Sequence, residues 1–168
     1  LLYVPPELTE DVHISGTPRI TVRLAADRPY ANLSVWLVAL PWTDEPDARG
    51  GIITRGWADP TNHATLTGDR PEDPAELALE RLMDHTSHTR SEPLEPGRFY
   101  DLTFELQPDD QIIPAGERIG VMIFSSDREF TLWPEAGATL EVDLSGTSLE
   151  LPVVGGVEAL RRALPPVS

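Results

Sequence analysis

Apolar residues recur at every second position in several short stretches of the chain. Ile20, Val22 and Leu24 alternate with Thr21, Arg23 and Ala25, the period of a strand with one buried face. Residues 99–106 repeat the pattern most cleanly. There Tyr100, Leu102, Phe104 and Leu106 point inward, and Asp101, Thr103 and Glu105 point outward. Gln107-Pro108-Asp109-Asp110 then reads as a turn. Residues 32–40 are apolar at nearly every position, which predicts a central strand covered on both faces or a core strand near a domain interface, and residues 118–126 predict another central strand. Residues 51–57, 130–133, 139–144 and 148–153 complete the set, with Pro and Gly clusters in the gaps.

Helical period is scarce. Asp73-Pro74-Ala75-Glu76 supplies an N-cap, a proline at the first helical position and a glutamate at the third. With Leu77, Leu79, Leu82 and Met83 it predicts a helix over about 74–84, inside an insertion over about 67–97. A second short helix is predicted over 157–164, ended by Pro165-Pro166. Eight or more short strands and one or two short helices predict one all-β domain over residues 1–168. Its architecture is a jelly-roll β-sandwich.

Composition narrows the function. The 168 residues are 40% hydrophobic and 24% charged, an ordinary globular balance. A chain of this length buries roughly 70% of its unfolded surface. No apolar run approaches the ~18 residues of a membrane span. The net charge of -15 opposes phosphate backbones and anionic lipid, so nucleic acid and membrane are not expected partners. All 13 basic residues are arginine, and cysteine is absent. Disulfides, thiolate metal sites and a cysteine nucleophile are thereby excluded, while the compartment stays open. Leu1-Leu2-Tyr3-Val4-Pro5 has neither a start methionine nor a basic leader. That opening predicts a segment cut or processed from a longer chain.

No catalytic constellation stands out. The Gly-x-Ser-x-Gly elbow of α/β-hydrolases is absent, and Ser15-Gly16, Ser125-Ser126 and Ser145-Gly146 read as turn serines. His85 and His88, with Asp84, could share a helix face, but two ligands in a polar loop specify no metal. They read as a solvated helix end, where histidine also complements the helix dipole. His13 and His63 fall near turns. Asp109-Asp110 and the run Thr43-Asp44-Glu45-Pro46-Asp47 lack the spacing of a calcium loop and read as turns. No catalytic, metal or cofactor residue is therefore predicted. Trp36, Trp42, Trp57 and Trp133 leave three readings open: core, domain interface or sugar-stacking platform.

One pattern is more specific. Ile53-Thr54-Arg55-Gly56-Trp57-Ala58-Asp59-Pro60-Thr61-Asn62 is followed by Pro93-Leu94-Glu95-Pro96-Gly97 and by Tyr100-Asp101-Leu102-Thr103-Phe104-Glu105-Leu106-Gln107-Pro108. Pro114-Ala115-Gly116-Glu117-Arg118-Ile119 and Ile123-Phe124-Ser125-Ser126-Asp127 come next. This order resembles the C-terminal domain of X-prolyl dipeptidyl aminopeptidases, in the cocaine-esterase-like group of serine hydrolases. Residues 8–24, with Ile14-Ser15-Gly16-Thr17-Pro18, look like that domain's first strands. Glu117 departs from the histidine that many relatives carry there.

The resemblance implies a galactose-binding-like jelly roll that accompanies an α/β-hydrolase domain of the same polypeptide. That domain would carry a Ser-Asp-His triad and release Xaa-Pro dipeptides from peptide N-termini. The present chain would pack on it, shape the active-site entrance or join contacts between copies, and be inactive alone. The alternative is a free-standing carbohydrate- or ligand-binding module. Arg55, Trp57, Asp59 and Asn62 are the candidate domain-interface residues. Arg55 and Trp57 are two apart and share a strand face, where arginine can fork onto a carboxylate and tryptophan can cover apolar surface. The competing reading ties Arg55 to Asp59 within one loop.

Overall fold

A computed structural model describes residues 1–41, 51–67, 91–127, 130–131 and 136–165. The helix expected over 74–84, His85, His88, Trp42, Trp133 and the acidic run 43–47 lie outside the described residues. The described strands are β1 (Leu2–Tyr3), β2 (Val12–Gly16), β3 (Arg19–Ala26), β4 (Leu33–Leu40), β5 (Ile52–Ala58), β6 (Tyr100–Glu105), β7 (Asp109–Ile113), β8 (Arg118–Phe124) and β9 (Leu140–Glu150). One sheet has the order β1-β8-β4-β5 and another the order β6-β3-β9, while β2 and β7 form a two-stranded ribbon. Neighbouring strands are antiparallel. The fold is an all-β sandwich.

The alternation fills the core. Ile20, Val22 and Leu24 of β3 are buried together with Leu102 and Phe104 of β6 and with Leu33, Val35 and Leu37 of β4. β4 lies between β8 and β5, which explains its apolar run. Its second face holds buried Ser34 and Val38 and half-buried Trp36. The sandwich closes tightly at β5. There the Gln107 N–H donates to the Arg55 carbonyl at 2.8 Å, and the Thr54 hydroxyl donates to the Gln107 carbonyl at 2.6 Å.

Three expectations are corrected. Asp109 and Asp110 do not make a turn; they begin β7, opposite Gly16 and Ser15 of β2. The two-stranded ribbon leaves one face wet, so charge is tolerated there. Asp110 Oδ1 lies 2.6 Å from His13 Nε2 across the ribbon, a cross-strand pair that supports the register. Ser15-Gly16 is likewise strand. Phe130 and Thr131, expected in a strand, belong to a turn whose N–H groups donate to the Asp127 carbonyl at 3.1 and 2.8 Å.

The third correction is β9, one continuous strand where two were expected. The register against β3 shifts between Thr21 and Arg23, so the residues around Ser145 form a bulge rather than a turn. Asp143 pins it: Oδ1 accepts from the Ser145 N–H at 2.9 Å and its hydroxyl at 2.6 Å. Asp143 Oδ2 lies 3.2 Å from Arg23 Nε. The Ser145 hydroxyl and N–H, with Arg23 adding to them, hold the Asp143 carboxyl below the ordinary aspartate range. A depressed carboxyl contributes stability above its unfolded value, and the contribution is lost as pH falls through the folded one. A carbon-detected NMR titration should therefore place the Asp143 midpoint below that of an unstructured aspartate. An ordinary or raised midpoint would contradict the pinned bulge.

The short helix α1 (Gly156–Ala163) lies close to the expected 157–164. Gly155 and Gly156 precede and open it at φ 86° and 67°, values that favour glycine. Its last residue docks it, since the Ala163 carbonyl accepts the N–H and hydroxyl of Thr9. Glu117 enters the fold through its backbone, accepting the Leu8 N–H at 2.8 Å.

Candidate functional site

The outer face of the β1-β8-β4-β5 sheet carries two rows of side chains fixed by strand register. Phe124, Ser34 and Trp57 form one row; Met122, Trp36 and Arg55 form the next. Side chains opposite one another on adjacent strands share a face, so Arg55 and Trp57 meet Trp36 and Phe124 there. Trp36 and Phe124 pack edge to face at 5.3 Å. The turn after β8 brings Phe130 over the same face, 5.5 Å from Trp57 between ring centres.

Asp127 organises the cluster. Its Oδ2 accepts the indole N–H of Trp36 at 3.0 Å and that of Trp57 at 3.1 Å. The residue is only 5% exposed, and a carboxylate this deep is retained when charge-directed donors satisfy it. Its backbone carbonyl also closes the turn that carries Phe130. One residue thereby fixes both indoles and the ring beside them.

Arg55 lies across this aromatic surface. Its guanidinium carbon is 4.4 Å from the centre of the Phe130 ring and 5.4 Å from that of Trp36, within cation–π range. Among the described residues it pairs with no carboxylate.

The other two predicted interface residues go elsewhere. Asp59 caps a 3₁₀ turn at Pro60–Asn62: its Oδ1 accepts from the Thr61 N–H at 2.9 Å and the Thr61 hydroxyl at 2.7 Å. The loop-tying pair of Arg55 with Asp59 is not among the described contacts. Asn62 is buried at 2% exposure, and its side-chain amide has no partner among the described residues. Arg55 and Trp57 are thus joined to Trp36, Phe124, Asp127 and Phe130, while Asp59 and Asn62 shape the turn beyond β5. Asp127 was visible in the sequence only as the end of a family-like stretch.

Two cavities lie apart from this face. A shallow polar depression of about 630 Å³ on the β6-β3-β9 sheet is lined by Arg19, Thr21, Arg23, Asp101, Thr103 and Asp143 among others. Its floor is already paired: Arg23 reaches Asp101 at 2.9 Å and Asp143 at 3.2 Å. An apolar cleft of about 380 Å³, lined by residues including Leu8, Ile119, Leu149 and Leu160, opens between the sheet edges and α1. Among the described residues, no three His, Asp or Glu side chains are grouped to hold a metal ion.

Comparison with known proteins agrees with the resemblance in the sequence. The family described as the X-Pro dipeptidyl-peptidase C-terminal non-catalytic domain matches residues 1–160. A Rhodopirellula baltica protein provisionally named Xaa-Pro dipeptidyl-peptidase is 52% identical over 158 residues, covering 93% of this chain and 22% of its own. The Xaa-Pro dipeptidyl-peptidase of Lactobacillus delbrueckii subsp. lactis is 31% identical over 160 residues, covering 90% of this chain and 20% of its own. The chain thus spans about a fifth of the length of these curated relatives. Among solved structures, an α-amino acid ester hydrolase aligns with a TM-score of 0.62 at 17% identity, over 92% of this chain and 25% of that one. A CocE/NonD family hydrolase from Staphylococcus aureus aligns with a TM-score of 0.61 at 13% identity, over 92% of this chain and 30% of that one. At those identities the likeness is one of fold.

Proposed function

The chain belongs to the family of X-Pro dipeptidyl-peptidase C-terminal non-catalytic domains, and from that membership we propose that it is the accessory domain of a serine exopeptidase. The parent enzyme releases Xaa-Pro dipeptides from peptide N-termini by acyl transfer. Its nucleophile, base and orienting acid belong to an α/β-hydrolase portion of the same polypeptide. This domain, a jelly roll of the galactose-binding-like kind, packs on that portion and helps shape the entrance to the active site or contacts between copies. The observation that carries the reading is the family match across residues 1–160, in a chain spanning about a fifth of its relatives. The missing nucleophile elbow supports it: acyl transfer of this kind needs a serine activated by a histidine and facing an oxyanion hole.

The expected result is a sharp division of activity. Residues 1–168 alone should leave Ala-Pro-p-nitroanilide intact. The full-length polypeptide should cleave it and lose that activity to a serine-directed phosphonate. Phosphonate-sensitive turnover by residues 1–168 would overturn the assignment, as would a full-length protein inert toward Xaa-Pro substrates. A second reading, a carbohydrate-binding module, is favoured by the polar depression near Arg23 and Asp101. Saturable heat on titration with galactose, abolished by Asp101→Ala, would support it. The ion pairs already closing that depression oppose it.

A further inference from the structure

The described arginines mostly have acids. Arg98 reaches Glu95 at 2.7 Å, Arg161 reaches Glu158 at 2.8 Å, Arg23 reaches Asp101 at 2.9 Å, Arg118 reaches Glu7 at 3.3 Å and Arg162 reaches Glu10 at 3.7 Å. Among the described residues Arg55 has none, in a chain with 28 acidic residues to 13 basic ones. It lies instead against Phe130 and Trp36. A guanidinium held beside rings by cation–π attraction can still offer N–H donors to a carboxylate. The rings are themselves held, since Asp127 fixes Trp36 and Trp57 through their indole N–H groups. A pre-positioned arginine loses less side-chain freedom on binding. Phe130 remains 53% exposed beside it.

We propose that Arg55 is the receptor for one carboxylate, an Asp or Glu side chain on the α/β-hydrolase portion of the same polypeptide, and that Trp57 and Phe130 close apolar surface around that pair. The inference rests on the accessory-domain reading and names the contact through which it works. Charge complementarity argues for the occupant: a cation that meets no acid among the described residues is matched by an acid from outside the domain. An aromatic cluster around a central arginine is the composition of an interface hot spot.

The absence of lysine from these 168 residues makes the contact directly readable. Arg55→Lys introduces the segment's single lysine, at the proposed contact. The full-length variant is treated with a zero-length carbodiimide, which joins an amine to a carboxylate in direct contact, and the cross-linked peptides are identified by mass spectrometry. The expected product joins position 55 to an Asp or Glu outside residues 1–168 in the same molecule, and an equimolar mixture of ¹⁴N- and ¹⁵N-labelled protein yields no mixed-isotope pair. A link to a carboxylate within residues 1–168 of the same molecule overturns the proposal. A mixed-isotope link does so too, and would make the face a contact between copies. The absence of any link in a folded variant overturns it as well. Arg55→Gln supplies a second reading: hydrogen exchange in full-length protein should speed up at least tenfold at the surfaces meeting across the contact, while the β6-β3-β9 sheet is unchanged. Unchanged exchange at that contact overturns the proposal. Xaa-Pro turnover is scored separately, so an inert full-length protein with the expected cross-link would sink the enzyme assignment and leave the contact standing.

Discussion

Asp127→Ala is expected to lower the unfolding free energy by about 3 kcal/mol, the scale of two hydrogen bonds to a charged acceptor. Trp36 and Trp57 both donate to its Oδ2, at 3.0 and 3.1 Å. Removing the carboxylate strands two indole N–H groups where the acid was only 5% exposed, which outweighs the relief of a buried charge. Asp127→Asn keeps an acceptor and loses the charge, so its cost should be about half as large. For a chain of this size, 3 kcal/mol corresponds to a melting temperature lower by roughly 6–12 °C. Urea unfolding followed by tryptophan fluorescence measures the loss and also reports on the indoles. A loss below about 1 kcal/mol for Asp127→Ala would remove Asp127 from its organising role.

Gly56→Val should cost about 3 kcal/mol as well, at the upper end of the usual range for overpacking. Gly56 stands between Arg55 and Trp57 but points the other way, into the sandwich. A Cβ there would lie 2.6 Å from Leu106 Cδ2, 3.0 Å from Leu106 Cα and 3.1 Å from the Glu105 carbonyl oxygen. The side-chain contact can yield, but the backbone contacts cannot without moving the strand. That strand is tied to the opposing segment by the bonds of Gln107 with Arg55 and Thr54. Gly56→Ala should therefore destabilise by about 1–2 kcal/mol, and combining it with Leu106→Ala should not restore the original stability. A fully neutral Gly56→Ala in thermal unfolding would show that β5 can lift away. Any such lift also displaces Arg55 and Trp57, so the same variant should loosen the outer face.

The inward-facing residues were legible because strand period is a local property. Ile20, Val22 and Leu24, and Tyr100, Leu102, Phe104 and Leu106, are buried as alternation places them. The β2–β7 ribbon was not legible. With one wet face it can hold Asp109 and Asp110 as well as any turn can, and only pairing with Ser15 and Gly16 decides between them. The bulge at Ser145 was hidden for a similar reason, since Ser-Gly reads as a turn until Asp143 is seen to pin it. At the candidate face, spacing alone put Arg55 and Trp57 together. Trp36 came beside Arg55 only through the register of β4 with β5, and Asp127 came beneath both tryptophans only through the turn after β8. Asp59 carried a family-like signal but serves as a local cap, which spacing cannot distinguish from an interface role.

The central place of β3 between β6 and β9 bears on how the chain reaches this state. Ala26 pairs with Leu140 and Arg19 with Glu150, so one edge of β3 is completed by strands most of the chain away. β1 and β2 likewise wait for β8 and β7. Such distant pairings pay loop-closure entropy before contacts repay it, which places folding in the millisecond-to-second regime of all-β topologies. During synthesis, β3 emerges long before β9 and keeps an open edge until its last partner leaves the ribosome. In that interval the unpaired edge is the surface most exposed to misassembly with another nascent chain.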